Sequence, residues 1–477
     1  MDDILQKLNI WGSWCRVVQF SETDLPVGRV GHTAHVLPLD CDPIGERLLI
    51  IIIGGADPSK VLNEAFALDM VSLKWYTVGV AEGIDFPSLG RYEHSSAILC
   101  DQRLLIFGGA TKSGPLCQLL RLQIDVHSTM TPTMAATTLN SSVPPEIQSI
   151  NASIKQDDNQ TAIEQFIWKP RTQHSSVSLT EHDQLLIFSG GDIGSQTVLD
   201  EKVYMYDNVV NSWTIIPVEG ISPCSRLGHL ILYESPYELI NSTSERIPKG
   251  NLYIHGGMAG GELFDDLYAL HFEQTNNDLN FKGVWNKLFP TIHQNTMDKQ
   301  DYSSSRDLIS AKLVSPGPRA AHGGTILTNK IFGIDKSKIL IFGGFSSSGA
   351  LNDMFCFDTN LRQWSEIRYE TSILPGPRLD FAYCMFTLIV EKNNSKINLA
   401  RVKTKSQKDE RVADDNEVDD NDKYCQDYFF IHGGMDSQGT VFNDAYLILL
   451  TEYQLSNPMN FQTIIDRNDS ITKCKNV

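Results

Sequence analysis

The stretch that decides the fold runs Arg29-Val30-Gly31-His32, then Leu48-Leu49-Ile50-Ile51-Ile52-Ile53-Gly54-Gly55, then Ala65-Phe66-Ala67-Leu68-Asp69, then Lys74-Trp75-Tyr76. Four strand-like segments lie within it. An aliphatic, β-branched run of four to six residues reads as a buried strand, and the diglycine after it frees the backbone for a tight exit where a side chain would collide with the next sheet. The third segment is mostly apolar, as expected when both of its faces are covered, and the Trp opens a fourth, outer strand. The run ending in two glycines recurs at Gly54-Gly55, Gly108-Gly109, Gly190-Gly191, Gly256-Gly257, Gly343-Gly344 and Gly433-Gly434, which makes six units.

These units resemble kelch repeats, the four-stranded blades of a β-propeller. The resemblance implies an all-β fold: a six-bladed kelch β-propeller with four antiparallel strands per blade. At about 50 residues per blade, six blades need roughly 300 of the 477 residues. The excess falls in candidate insertions at 128–166, 233–250, 289–314, 327–337 and 388–425. One propeller is therefore expected over 13–450, with 128–166 and 388–425 as disordered insertions and 451–477 as a C-terminal tail. The first of these segments is rich in Thr, Ser, Asn and Gln. The second contains the acidic run Asp414 to Asp422, which lacks the central Gly and final Glu of a calcium loop and reads as a solvated tether.

Trp75, Trp213, Trp285 and Trp364 mark outer strands, but no Trp follows the sixth unit. Trp14 precedes Arg29 by 15 residues, close to the 16 between Trp75 and Arg91. It is expected to supply the outer strand of the last blade, closing the ring and removing a free edge. In the second unit Trp168 stands only three residues before Arg171, too close to open a strand, so that blade's outer strand stays unassigned.

Composition excludes several classes of function. The longest aliphatic run is far below the ~20 residues of a membrane helix, and Met1-Asp2-Asp3 does not begin a secretory signal, so a cytosolic or nuclear address is expected. The nine cysteines form no C-x-x-C pair, which argues for free thiols and against finger-type metal sites. A net charge of −18 argues against nucleic acid as a partner. No P-loop, His-Glu-x-x-His helix or Gly-x-Ser-x-Gly elbow occurs. No cofactor, metal or catalytic set is expected, and the chain reads as no enzyme.

Strands in a blade run up and down, so the loop into strand one and the loop after strand two open on the same face. Arg29, Arg91, Arg171, Arg226, Arg319 and Arg378 all start strand one, and one mouth is expected to be ringed by them. With Lys60 and Lys112 on neighbouring turns, this would form a basic patch for carboxylates on an acidic partner. The competing reading is a repeated structural job, such as bonding loop carbonyls. His32, His94, His174, His229 and His322 follow three residues after each Arg, with Phe381 in the sixth place. They read as core histidines rather than metal ligands. The turns 56–62, 110–116, 258–264 and 345–351 are the candidate binding loops.

A narrower resemblance lies in Gly90-Arg91-Tyr92-Glu93-His94-Ser95, Phe107-Gly108-Gly109-Ala110-Thr111-Lys112-Ser113-Gly114, Ile254-His255-Gly256-Gly257-Met258-Ala259-Gly260 and Pro377-Arg378-Leu379-Asp380. In this order the chain is similar to the kelch-motif effectors of Rab GTPases. That likeness implies a non-enzymatic cytoplasmic scaffold recognising a GTP-loaded late-endosomal Rab in transport from endosomes to the trans-Golgi network. It would reach endosomal membranes peripherally, through its partners. An adaptor for cytoskeletal or ubiquitin-ligase partners and an enzyme with a central-channel site are the competing readings.

Overall fold

A computed structural model describes residues 14–17, 25–41, 45–70, 73–80, 89–99, 103–126, 132–139, 169–179, 182–192, 196–235, 248–274, 281–289, 314–328, 337–368, 374–393, 396–401, 423–454 and 462–463. Every long element among them is a β-strand. Six sheets of four or more strands are the blades of a β-propeller. Blade 1 is Thr33–Cys41, Gly45–Ile53, Ala65–Asp69 and Lys74–Thr77, numbered from the central channel outward. The second strand is the core of each blade because both its faces meet neighbouring blades; Ile50, Ile51, Ile52 and Ile53 are all fully buried.

Blade 2 is Ser95–Ile98, Leu104–Phe107, Leu119–Val126 and Pro132–Leu139, and blade 3 is Ser175–Leu179, Gln184–Phe188, Val203–Asp207 and Ser212–Ile215. Blade 4 is Leu230–Glu234, Asn251–His255, Leu267–Gln274 and Phe281–Phe289. Blade 5 is Gly323–Thr328, Ser337–Ser346, Gly349–Asp358 and Gln363–Ile367. Blade 6 takes Ala382–Asn393, Lys423–His432 and Ala445–Gln454 from the end of the chain. Its outer strand is Trp14–Arg16, antiparallel to the third strand with Trp14 opposite Ile448. The same register sets Trp75 opposite Leu68 in blade 1, so the N-terminal strand closes the ring as the Trp spacing requires.

Three expectations change. The segment expected to be disordered at 128–166 contains blade 2's missing outer strand, Pro132–Leu139, which pairs with Leu119–Val126 along its whole length. Ala136 stands opposite Leu122, at the register position of the Trp in other blades. An outer strand needs no apolar run, and Pro is tolerated at its first position, so the polar composition hid it; Gly79–Val80 pairs with its outer side at Thr133 and Met134. In blade 6, part of 388–425 is likewise strand: the first strand runs on to Asn393 and forms a hairpin with Lys396–Arg401. The third strand passes 450 to Gln454 and pairs there with Gln462–Thr463. Residues 140–166, 402–422 and 290–313 lie outside the described residues.

A belt of backbone hydrogen bonds joins the blades at one end of the channel. The residue two after each Arg donates its N–H to its counterpart in the preceding blade: Glu93 to Gly31, Gln173 to Glu93, Gly228 to Gln173, Ala321 to Gly228, Asp380 to Ala321 and Gly31 to Asp380, at 2.7–3.2 Å. All six residues have positive φ, between 51° and 63°, because their N–H and C=O must point along the circumference rather than along the strand. The belt returns on itself after six steps.

Candidate functional site

The repeated residues all gather at this belt. Each Arg is buried, 0–1% exposed, and its guanidinium donates to the carbonyl that ends its own blade's second strand. Arg29 reaches Gly54 O at 3.0 Å, Arg91 reaches Gly108 at 3.2 Å and Arg171 reaches Ser189 at 3.0 Å. Arg226, Arg319 and Arg378 reach Gly256, Gly343 and Gly433 at 2.9 Å each. A polar side chain at the entry to strand three takes the other edge: Glu64, Gln118, Asp200, Asp266, Asp353 and Asp444 respectively. Five of the six guanidinium charges meet a carboxylate. Arg91 meets the neutral Gln118, and burial brings it down to about 10.

The expected basic mouth is therefore corrected. The arginines stand where the sequence places them, but they point into the blade and the two terminal amino groups of each guanidinium are engaged. On the loops of this face the described charges include Asp57, Asp192, Glu201, Glu262 and Asp436 together with Lys60, Lys112, Lys169 and Lys202, so acids and bases are mixed there.

The diglycines lock one blade to the next. The second Gly donates its N–H to the carbonyl of the following blade's Arg, as in Gly55 to Arg91 at 2.8 Å and Gly434 to Arg29 at 2.9 Å. A Cβ on the first would lie 2.7 Å from that oxygen at Gly54 and at Gly108, closer than such atoms approach. In blade 3 the pair is displaced by one residue from Gly190-Gly191. Ser189 and Gly190 carry the two positive φ values, 51° and 112°, and Gly190 N–H bonds Arg226 O at 3.0 Å. Ser189 holds this glycine conformation while its hydroxyl accepts the Arg226 N–H at 2.8 Å.

The histidines and tryptophans form a second lock. The residue before the first Gly is gripped between the next blade's strand-one His and its outer-strand Trp. The His432 ring centre lies 5.0 Å from that of His32 and 5.5 Å from that of Trp75, and the His255 ring centre 4.9 Å from that of His322 and 5.2 Å from that of Trp364, with both His pairs hydrogen-bonded at 2.9 Å. Phe107 sits between His174 and Trp213, and Phe188 between His229 and Trp285. Phe342 sits between Phe381 and Trp14, so Phe381 replaces the sixth His within the same stack. The one blade without a Trp, blade 2, faces the one aliphatic residue in this series, Ile53. Burial lowers the histidines to about 3 at His94, His229, His255 and His432, so the stacks are neutral.

Exposed apolar side chains are the remaining feature of this face. Leu199 is 88% and Ile221 82% exposed, Val27, Val314 and Leu374 are also exposed on the loops before Arg29, Arg319 and Arg378, and Phe345 is exposed at the end of blade 5's second strand. The loops of Leu199 and Ile221 are tied together, with Ser222 Oγ donating to Glu201 at 3.0 Å and Asp200 N–H donating to Ser225 Oγ at 2.9 Å.

The family model described as "Kelch motif" matches residues 333–368, which cover the second, third and fourth strands of blade 5. The other blades repeat that strand order, register and inter-blade bonding. This is a kelch-repeat propeller. Among curated proteins, the kelch chain is 30% identical over 248 residues to "Rab9 effector protein with kelch motifs" of cattle and 29% to that of human, each match covering 51% of this chain and 52% of the relative. The chain thus spans about half the length of these relatives in alignment. The mouse protein of the same name is 25% identical over 437 residues, 90% of this chain and 91% of its own. No helix among the described residues is long and apolar enough to cross a membrane.

Reading the kelch repeat by residue type placed the arginines, glycines and tryptophans but not the partners of the arginines. The signal was present: a polar residue before each third strand repeats in step with the Arg. Leu199 and Ile221 carried no such signal, because they do not recur from blade to blade.

Proposed function

We propose that the chain is a non-enzymatic scaffold whose arginine-side loops dock a GTP-loaded, late-endosomal Rab GTPase, in transport between endosomes and the trans-Golgi network. The alignment with a kelch-motif Rab9 effector along 90% of this chain carries the reading. The two most exposed large apolar side chains among the described residues, Leu199 and Ile221, stand on this face on loops tied to each other and support it, since exposed apolar surface on a folded protein marks sites of association. The docking centre in this reading is the Leu199–Ile221 pair between blades 3 and 4, with Lys60 and Lys112 as rim charges. Recruitment to endosomal membranes then follows from the partner.

The test is a binding titration against a panel of Rab proteins loaded with a GTP analogue or with GDP. Preference for the GTP form of one member is expected, and a Leu199→Glu, Ile221→Glu double variant should weaken it by about 2 kcal/mol or more, as truncation of a central apolar anchor does, with an unchanged melting temperature. Equal affinity for both nucleotide states, or none for any Rab, refutes the effector reading; full affinity in the double variant refutes the site.

A further inference from the structure

The belt frames one end of a central cavity of about 370 Å³ enclosed by the first strands of all six blades. Two of the belt residues are acids, Glu93 and Asp380, and both line the cavity on either side of Gly31. Glu93 leans over that glycine, where a Cβ would lie 3.2 Å from its Cγ. It is held there by donors on both oxygens, Gln173 Nε2 at 2.9 Å and the Thr172 hydroxyl. The Asp380 carboxylate has no hydrogen-bond partner among the described residues. Deeper in, Ser95 is 6% exposed with an unbonded hydroxyl, and the Ser176 Oγ is buried and unbonded; both line the same cavity. The wall from blades 4 and 6 is apolar, with Ile231, Leu232, Tyr383 and Met385.

We propose that this channel mouth binds an organic cation, an alkylammonium or alkylguanidinium group, with its charge between Glu93 and Asp380 and its stem along the apolar wall. Half-buried acids without a counter-charge favour a cation; of the nearby arginines, Arg29 and Arg378 are taken up by Glu64 and Asp444, and Arg91, held by Gly108 O and Gln118, does not line the cavity. Among the described residues no set of three His, Cys, Asp or Glu is placed to hold a metal ion. A hard divalent ion takes six or more oxygens, whereas a guanidinium is satisfied by two carboxylates and a few hydroxyls. The cavity also has room for a stem, being within the range of small-molecule sites. This inference stands apart from the Rab reading. The cation can be a free metabolite or a lysine or arginine side chain of a docked protein.

The pH dependence follows from the same geometry. Burial and the Glu93 charge push Asp380 up to about 7. Burial also raises Glu93, while His32 and His322, on the blades flanking Asp380, are held neutral by burial. A bound cation favours ionised Asp380, so binding releases a proton and strengthens as pH rises from 6 to 8.

The experiment is calorimetric titration of the full chain with n-butylguanidinium, its neutral isostere n-butylurea, and a short blocked Gly-Arg-Gly peptide, at pH 6 and pH 8. The expected result is binding of at least one guanidinium probe and not the urea, with severalfold higher affinity at pH 8 and proton release. Tighter binding of the free cation or of the peptide tells which source the site suits. Asp380→Asn should weaken binding about tenfold or more and remove the pH dependence. Asn keeps the shape and tolerates the φ of 52° at this position. No binding of either guanidinium probe, equal binding of the urea, or pH-independent affinity in the unsubstituted protein overturns the proposal without bearing on Rab affinity.

Discussion

Replacing Arg226 by Met separates a structural role for the repeated arginines from a partner-binding one. Arg226 donates to Gly256 O at 2.9 Å, to Cys224 O at 3.0 Å and to both oxygens of Asp266 at 2.6 and 3.2 Å, while its guanidinium lies 4.5 Å from the Phe264 ring centre. Met keeps the length and much of the packing but removes every donor. The Asp266 side chain is 6% exposed, so water cannot replace the lost partner, and stranding one member of a buried pair costs about 3–5 kcal/mol. With an unfolding entropy of about 2.1 cal/mol/K per residue over roughly 300 ordered residues, that is a fall of about 5–8 °C in melting temperature. Arg29→Met is the internal control. Its partner Glu64 is 36% exposed and rehydrates, so the loss should be about 1–3 kcal/mol, the cost of one unsatisfied buried carbonyl. Adding Asp266→Asn to Arg226→Met should recover part of the stability, because the stranded charge is gone. Calorimetric and circular-dichroism melts read all four proteins. An Arg226→Met protein that melts with the parent but loses its partner would refute the reasoning, as would an Arg29 variant that falls further.

Gly108→Ala and Gly260→Ala form a second matched pair. Both glycines have φ near 60°, but a Cβ at Gly108 would lie 2.7 Å from Arg171 O and from the His174 ring, whereas nothing stands within 4 Å at Gly260; the first should cost well over the ~1 kcal/mol of left-handed strain that the second shows in urea melts. The histidine stacks predict acid sensitivity. Their folded pKa values, about 3 at His229, lie below the unfolded value near 6.5, so the unfolded chain binds more protons between those limits and stability falls as pH drops from about 6.5 towards 3. Raised Asp380 and Glu93 oppose this but are outnumbered. His229→Phe, which copies the Phe381 arrangement, should flatten the slope by up to about 1.4 kcal/mol per pH unit across that window. An unaltered slope in denaturant melts would show that His229 is not held neutral.

Most of the ring was legible because its determinants are local and repeat. An aliphatic run, two glycines and an Arg three residues before a His each report one blade, and the spacing from Trp14 to Arg29 reported the closure. Ser189 misled the register because the backbone needs a left-handed residue, not a glycine as such; a serine whose hydroxyl replaces a lost acceptor meets the same need. The outer strand Pro132–Leu139 was hidden because it is held by backbone pairing to Leu119–Val126 and Gly79–Val80 more than by apolar side chains. The arginines were placed correctly and read with the wrong environment. Net charge and position cannot show whether a guanidinium turns to water or to a carboxylate brought beside it by a different strand, and only the register of strands two and three shows that. The acid pair at the belt was invisible for a related reason, since Glu93 and Asp380 are 287 residues apart in sequence and meet only when blade 6 docks on blade 1.

The closure of blade 6 also sets an order of events. Trp14 finds Ile448, and His32 finds His432, 400 residues away, only after nearly the whole ring exists. The entropy of so long a loop adds little to the equilibrium cost, about 0.6 kcal/mol per doubling of length, but on the ribosome the Trp14–Arg16 strand has to wait for blade 6. Until then Ile448 and the Phe342 ring on blade 5 lack their cover, and the growing chain carries an open apolar edge that its own beginning is positioned to seal.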